Sequence, residues 1–176
     1  MKREEFVTRL QHDFSAGIKH NKVSLQKLAA SFGIASQNLV KELAEFALVN
    51  VFRQIAYQKK SVRERYDEIV ALYNSQPVLS HRTSQSILLQ QYSTPAPIGF
   101  LAGIFCGIDK DGNYFEPSAG NGLLTIAADP GTFIVNEVDE VRRANLETQG
   151  FQKVFDTDAS HDFETSEYGS FFQHVK

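Results

Sequence analysis

The chain has one cysteine, Cys106, among its 176 residues, which excludes an intrachain disulfide. Cys106 lies in an apolar stretch and is expected to be a buried small hydrophobe rather than a nucleophile. The five histidines, His12, His20, His81, His161 and His174, show no pair at metal-ligand spacing, so no metal site is expected. No long apolar run follows Met1, so neither a signal peptide nor a membrane span is expected. A net charge of −3 argues against a surface that grips DNA strongly. The local basic run Lys59, Lys60, Arg63, Arg65 reads as a solvated helix end. There is no internal repeat and no low-complexity tract. These absences leave a soluble, cytoplasmic protein of one or two small domains, long enough for a real core.

The composition divides the chain into a helical module over 1–75 and a second part over 76–176. In the first, Ser24 is a capping-type start and Gly33 an end. Leu39, Val40, Leu43, Phe46, Ala47 and Ile55 then recur at helical spacing, with Val51 and Phe52 alongside. The span 43–52 is apolar enough to be a packed face, against the rest of the chain or against a partner. Ala29, Gly33 and Leu39 also fit helix-turn-helix spacing, which ordinary helical hairpins share. A further helix is predicted over 65–73 and a linker over 74–77.

The second part carries the densest pattern. An apolar lead-in, Tyr114-Phe115, runs into Glu116-Pro117-Ser118-Ala119-Gly120-Asn121-Gly122. The dinucleotide fingerprint G-x-G-x-x-G is incomplete, because Thr125 stands where the third glycine belongs. Glu116 at the loop's start would repel a pyrophosphate, which such loops hold with backbone N–H groups and a helix N-terminus. S-adenosylmethionine has an ammonium and a cationic sulfur and no phosphate, so a carboxylate suits it. Residues 123–128 have helical potential, Asp129-Pro130-Gly131 is a turn, and 132–135 is a buried strand by composition. That strand ends in Asn136-Glu137-Val138-Asp139, near the roughly 20-residue spacing at which an acid takes up ribose hydroxyls. A helix over 141–149, closed by Gly150, leads to a short strand at Val154-Phe155. Asp156-Thr157-Asp158-Ala159-Ser160 follows. Glu116, Glu137 and Asp158 thus end three successive strands, on the rim where open α/β sheets bind ligands. Upstream, Pro95 and Pro97 hold Tyr92 to Thr94 in an extended loop, ahead of an apolar helix over 98–107.

Over residues 66–160 the sequence resembles the N6-adenine DNA methyltransferases of restriction–modification systems and mobile elements. The run 116–122 resembles the family's first motif, which wraps the methionine end of the cofactor. The run 136–139 resembles the second, implying Glu137 on the ribose and Val138 against the adenine ring. Asp158-Ala159 resembles the third, implying Asp158 on the adenine amino group. Tyr92-Ser93-Thr94-Pro95 resembles the motif that closes over the methionine moiety. The resemblance implies an α/β protein with a helical N-terminal module and a Rossmann-like class I methyltransferase sheet. It also implies a cofactor set of Tyr92, Ser93, Thr94, Pro95, Glu116, Pro117, Ser118, Ala119, Gly120, Gly122, Glu137, Val138, Asp158 and Ala159.

The family's Asn/Asp-Pro-Pro-aromatic motif, which holds a flipped-out base, is absent from the sequence. The only Asp-Pro, Asp129-Pro130, continues into Gly131. The expectation is a truncated sheet, an S-adenosylmethionine-binding portion inactive alone, with DNA contacted through regions mostly outside it. The alternatives are a non-catalytic methyltransferase-fold scaffold and a DNA-binding regulator using the N-terminal helices.

Overall fold

The computed structural model describes residues 2–76, 93–108, 112–162 and 166–175. Four helices come first: α1 (Lys2–Ser15), α2 (Lys22–Ser31), α3 (Gln37–Ala56) and α4 (Val62–Ser75). α1 buries Phe6, Val7, Leu10 and Phe14, the one-sided stripe of an amphipathic helix, against α3. α2 starts at the N-cap Asn21, whose side chain accepts from the Ser24 N–H while Ser24 Oγ accepts from the Asn21 N–H. Ser24 is therefore the reciprocal third residue of a capping box rather than the cap. Gly33 takes φ +75° just past the helix end, a left-handed turn that glycine adopts without a Cβ penalty. Ser36 caps α3, and Ser61 with Glu64 forms a second capping box on α4. α4 runs through Ser75, so the predicted linker starts later than expected, and Pro77 lies outside the described residues.

α5 (Ala96–Cys106) follows, with a proline in its first turn. It packs on α4 through Phe100, which is fully buried, and Arg65 sits 5.5 Å over that ring. Arg65 also donates to the Ala56 carbonyl, so this member of the basic run is an interhelical tie. A helix buries one face only. α5 turns Gly99, Phe100 and Gly103 inward and leaves Ile98, Leu101, Phe105 and Cys106 outward. The expectation of a buried Cys106 is thereby corrected.

Gly99 is required by close approach. A Cβ there would lie 2.6 Å from the Leu123 carbonyl oxygen, so Gly99→Ala must push α5 off the loop after the first strand. We expect a loss of about 1–3 kcal/mol in unfolding free energy, despite alanine's better helix propensity, measured by chemical denaturation.

The sheet has three parallel strands in the order β1 (Tyr114–Glu116), β2 (Phe133–Asn136), β3 (Lys153–Phe155). All four residues of β2 are buried, as expected of a central parallel strand. On the free side of β1, Asn113 makes a single parallel bridge to Val175, near the short C-terminal helix α7 (Gly169–Phe172). β2 and β3 are joined by α6 (Glu140–Glu147), which Asp139 caps by accepting from the Val141 and Arg142 N–H groups. The β1–β2 connection differs from the expected helix over 123–128. It contains only 3-10 turns at Leu123–Thr125 and Pro130–Thr132. Pro130 disfavours helical geometry at Asp129, and Thr125 bonds back to the Gly122 carbonyl, so the segment turns tightly.

The result is a mixed α/β fold with one contiguous core. Phe6, Leu43 and Phe52 from the N-terminal helices share it with Phe100, Tyr114, Val135 and Leu146. No described helix is long and apolar enough to cross a membrane.

Candidate functional site

The ends of β1, β2 and β3 surround an open pocket of about 270 Å³. Register explains the convergence: Glu116 pairs with Val135, and Val135 with Val154. The three strands therefore end within one residue of each other, and their loops meet at one rim. Asn136, buried at the end of β2, fastens that rim. Its Nδ2 donates to the Pro117 and Thr157 carbonyls, and its Oδ1 accepts from the Thr157 N–H.

The glycine loop is held from below. Gly120 and Gly122 take φ +57° and +96°, which bends the chain so that its N–H groups point inward. The Ser118 N–H donates to Glu116, the Ala119 N–H to the Asn136 carbonyl, and the Gly120 N–H to Glu137 Oε2 at 2.8 Å. The Gly122 N–H donates to the Ala119 carbonyl. Glu137 Oε1 accepts from the Asp139 N–H, also at 2.8 Å, so one carboxylate braces the loop and the start of α6. A 3-10 turn, and not a helix, follows the loop. No α-helix N-terminus is therefore presented for a phosphate, and the Ser118, Ala119, Gly120 and Gly122 amides of the loop are taken.

Of the residues singled out from the sequence, Ser93, Thr94, Pro117, Ser118, Ala119, Gly120, Glu137, Val138, Asp158 and Ala159 line the pocket. Three do not. Pro95 is the N-cap position of α5. Gly122 faces Gln149, Thr125 and Leu146. Glu116 turns back on Ser118, and burial pushes its carboxyl above the ordinary range against that N–H. Tyr92 lies outside the described residues. Asp158 is held low by the N–H and hydroxyl of Ser160.

The lining also contains Glu45, Asn121 and Arg142, which sequence reasoning missed. They belong to a buried polar network that ties α3 to the loop and α6. Asn121, 1% exposed, donates to both Glu42 and Glu45 at 2.9 Å, and its Oδ1 accepts from Asn145. Arg142 Nε donates to Glu42 at 2.8 Å. Burial works against the Arg142 charge, but Glu42 prevails and holds its pKa above the usual value. Further along, Arg53 donates to Thr125 Oγ1 and Gln149 Oε1, each at 2.8 Å. Burial lowers the Arg53 guanidinium to about 10, so it stays cationic at neutral pH. Thr125, the residue in place of a third glycine, thus serves as an anchor for Arg53. The available signal was Glu42, Glu45 and Arg53 recurring on one stripe of a helix that is otherwise apolar nearly all round, where buried charges need partners.

A second polar string, Ser24 Oγ to His20 Nδ1 at 3.4 Å and His20 Nε2 to Asp13 at 2.9 Å, superficially resembles a hydrolytic triad. Ser24 Oγ is committed to the capping box and donates to the Asn21 carbonyl, so it is a helix start. Burial raises the Asp13 carboxyl, but its bonds from Arg9 and His20 outweigh that and leave it below its usual value. Among the described residues no group of three His, Cys, Asp or Glu could hold a metal ion. Compared with family models, with curated proteins and with solved structures, the chain matches none.

Proposed function

We propose that this pocket binds S-adenosylmethionine, and that the chain is the cofactor-binding portion of a DNA N6-adenine methyltransferase with a Rossmann-like class I sheet. The observation that carries the reading is the state of the glycine loop. The N–H groups of Ser118, Ala119, Gly120 and Gly122 are all taken by protein acceptors, two of them carboxylates. Such a loop repels a pyrophosphate and tolerates a cation. Each oxygen of Glu137 keeps a lone pair beyond its backbone bond, available to ribose hydroxyls. Val138 lines the pocket yet is 52% exposed, an apolar surface suited to one face of an adenine ring. Asp158 lines the same pocket; its Oδ1 takes both Ser160 bonds, and its Oδ2 lies 3.8 Å from His161 Nδ1. The DNA part of the reading rests on the resemblance alone. Within these 176 residues no Asn-Pro-Pro or Asp-Pro-Pro stands ready to hold a target base, so this chain by itself transfers no methyl group.

Titration calorimetry of the chain with S-adenosylmethionine, with NAD as the control, tests the reading. The expected result is saturable binding of the first and none of the second. A folded chain that binds neither contradicts it. It would favour a scaffold acting through protein contacts, a reading that draws on the exposed apolar face Ile98, Leu101 and Phe105 of α5.

A further inference from the structure

Glu45 is the least explained charge at the site. It comes from α3, outside every motif that the resemblance covers, and is 8% exposed while lining the pocket. Its Oε1 accepts from Asn121 Nδ2 at 2.9 Å and its Oε2 from Ser93 Oγ at 2.7 Å. Both donors are neutral. Lys41 lies 3.4 Å from Glu42, and Arg142 donates through Nε and Nη2 to Glu42 and attracts Glu45 only through space. Among the described residues no lysine or arginine forms an ion pair with Glu45. A carboxylate this buried carries a large desolvation cost that neutral donors offset only in part. It faces a cavity, where a ligand cation can supply the direct ion-pair partner that Arg142, attracted only through space, does not.

The position within the pocket indicates which cation. Ser93 and Thr94 enter from the segment before α5, next to Glu45, whereas Val138 and Asp158 come from the ends of β2 and β3. The pocket wall near α3 presents Glu45 and the guanidinium of Arg142 together. Adjacent opposite charges suit a zwitterion better than a simple anion or a neutral ring. We propose that Glu45 is the counter-ion for the α-ammonium group of an amino acid moiety on the ligand, with Ser93 closing over that contact. The inference rests on the S-adenosylmethionine reading above and extends it by naming a binding residue on the N-terminal helices. It makes those helices part of the cofactor site.

The test compares S-adenosylhomocysteine, which has the ammonium, with 5′-methylthioadenosine, which lacks the whole amino acid end. Glu45→Gln is the variant of choice, because its amide oxygen can still accept from Asn121 and its NH₂ can donate to Ser93 Oγ. Calorimetry on the full chain should show Glu45→Gln weakening S-adenosylhomocysteine about 30-fold, the scale for removing one partner of a buried charge pair. Binding of 5′-methylthioadenosine should stay within about twofold of wild type. Equal loss for both ligands, or no loss for either, overturns the inference while leaving the cofactor reading intact. Wild-type chain that binds neither ligand overturns both. A second measurement needs no variant: the affinity of wild type for S-adenosylhomocysteine should fall as pH rises through the titration of the ligand's ammonium, with 5′-methylthioadenosine flat. A flat profile for both overturns the inference.

Discussion

Arg142→Ala should lower the unfolding free energy by about 3–5 kcal/mol, the scale for leaving one member of a buried ion pair unpaired. The side chains of Arg142 and Glu42 are 4% and 2% exposed, and Nε lies 2.8 Å from Oε2. Removing the guanidinium leaves Glu42 with Lys41 Nζ at 3.4 Å and one amide from Asn121, so the lower end of that range is expected. Replacing both partners by apolar residues is a different perturbation. Arg142→Met with Glu42→Leu should regain most of the loss, because the desolvation cost of both charges disappears together. The double variant should nevertheless bind ligand poorly. Asn121 would lose one of its two carboxylate acceptors, and with it the force that fixes the loop between Gly120 and Gly122. Denaturant midpoints and calorimetry on the same samples separate the two effects. Recovered stability with unchanged affinity would show that the network serves only the fold.

The second large effect is at Glu137. Its carboxylate accepts from the Gly120 and Asp139 N–H groups, both at 2.8 Å, and is 8% exposed. Glu137→Ala orphans two backbone donors at about 1–3 kcal/mol each and removes the acceptors proposed for the ribose hydroxyls. Affinity for S-adenosylmethionine should fall by about 100-fold or more, given that a hydrogen bond to a charged group contributes about 1.5–3 kcal/mol. Glu137→Gln should be nearly as damaging. Its amide oxygen can satisfy one N–H, but its NH₂ then faces the other donor. A Glu137→Gln chain that binds like wild type would show that the carboxylate does not brace the loop as its geometry requires.

Much of this was legible in the sequence because the relevant signals are local. The β-branched run before Asn136 forms a strand, and Asp139 starts a helix. That helix ends at Glu147 with Thr148 as its C-cap, so Gly150, at φ +84°, lies two residues past the cap instead of closing a helix over 141–149. Ten of the residues chosen from motif order line one pocket, since strands that end within one residue of each other bring their loops together. The failures have physical causes too. Ser24 reads as a cap one turn late because Asn21 also caps well, and only geometry distinguishes the two roles. Cys106 is expected inside because an all-apolar helix gives no phase from which to tell its buried face. Residues 123–128 carry helical propensity, which does not register how quickly the chain must return to β2. The buried network was invisible for a different reason. Glu42, Glu45 and Arg53 find their partners in Asn121, Arg142, Ser93, Thr125 and Gln149 across long stretches of sequence, and no local pattern encodes such pairing. That network also changes the meaning of the N-terminal helices. α3 supplies both the loop's support and one wall of the pocket, so the helical part and the sheet act as one unit at the site.

An amide-resolved NMR titration of the chain with S-adenosylmethionine tests directly whether this pocket takes the cofactor. The expected result is saturable shifts at Ser93, Thr94, Ser118 to Asn121, Glu137, Val138, Asp158 and Ala159, with α1 and α2 unaffected. A well-dispersed spectrum that does not respond, or one whose shifts cluster on α1 and α2, would contradict it.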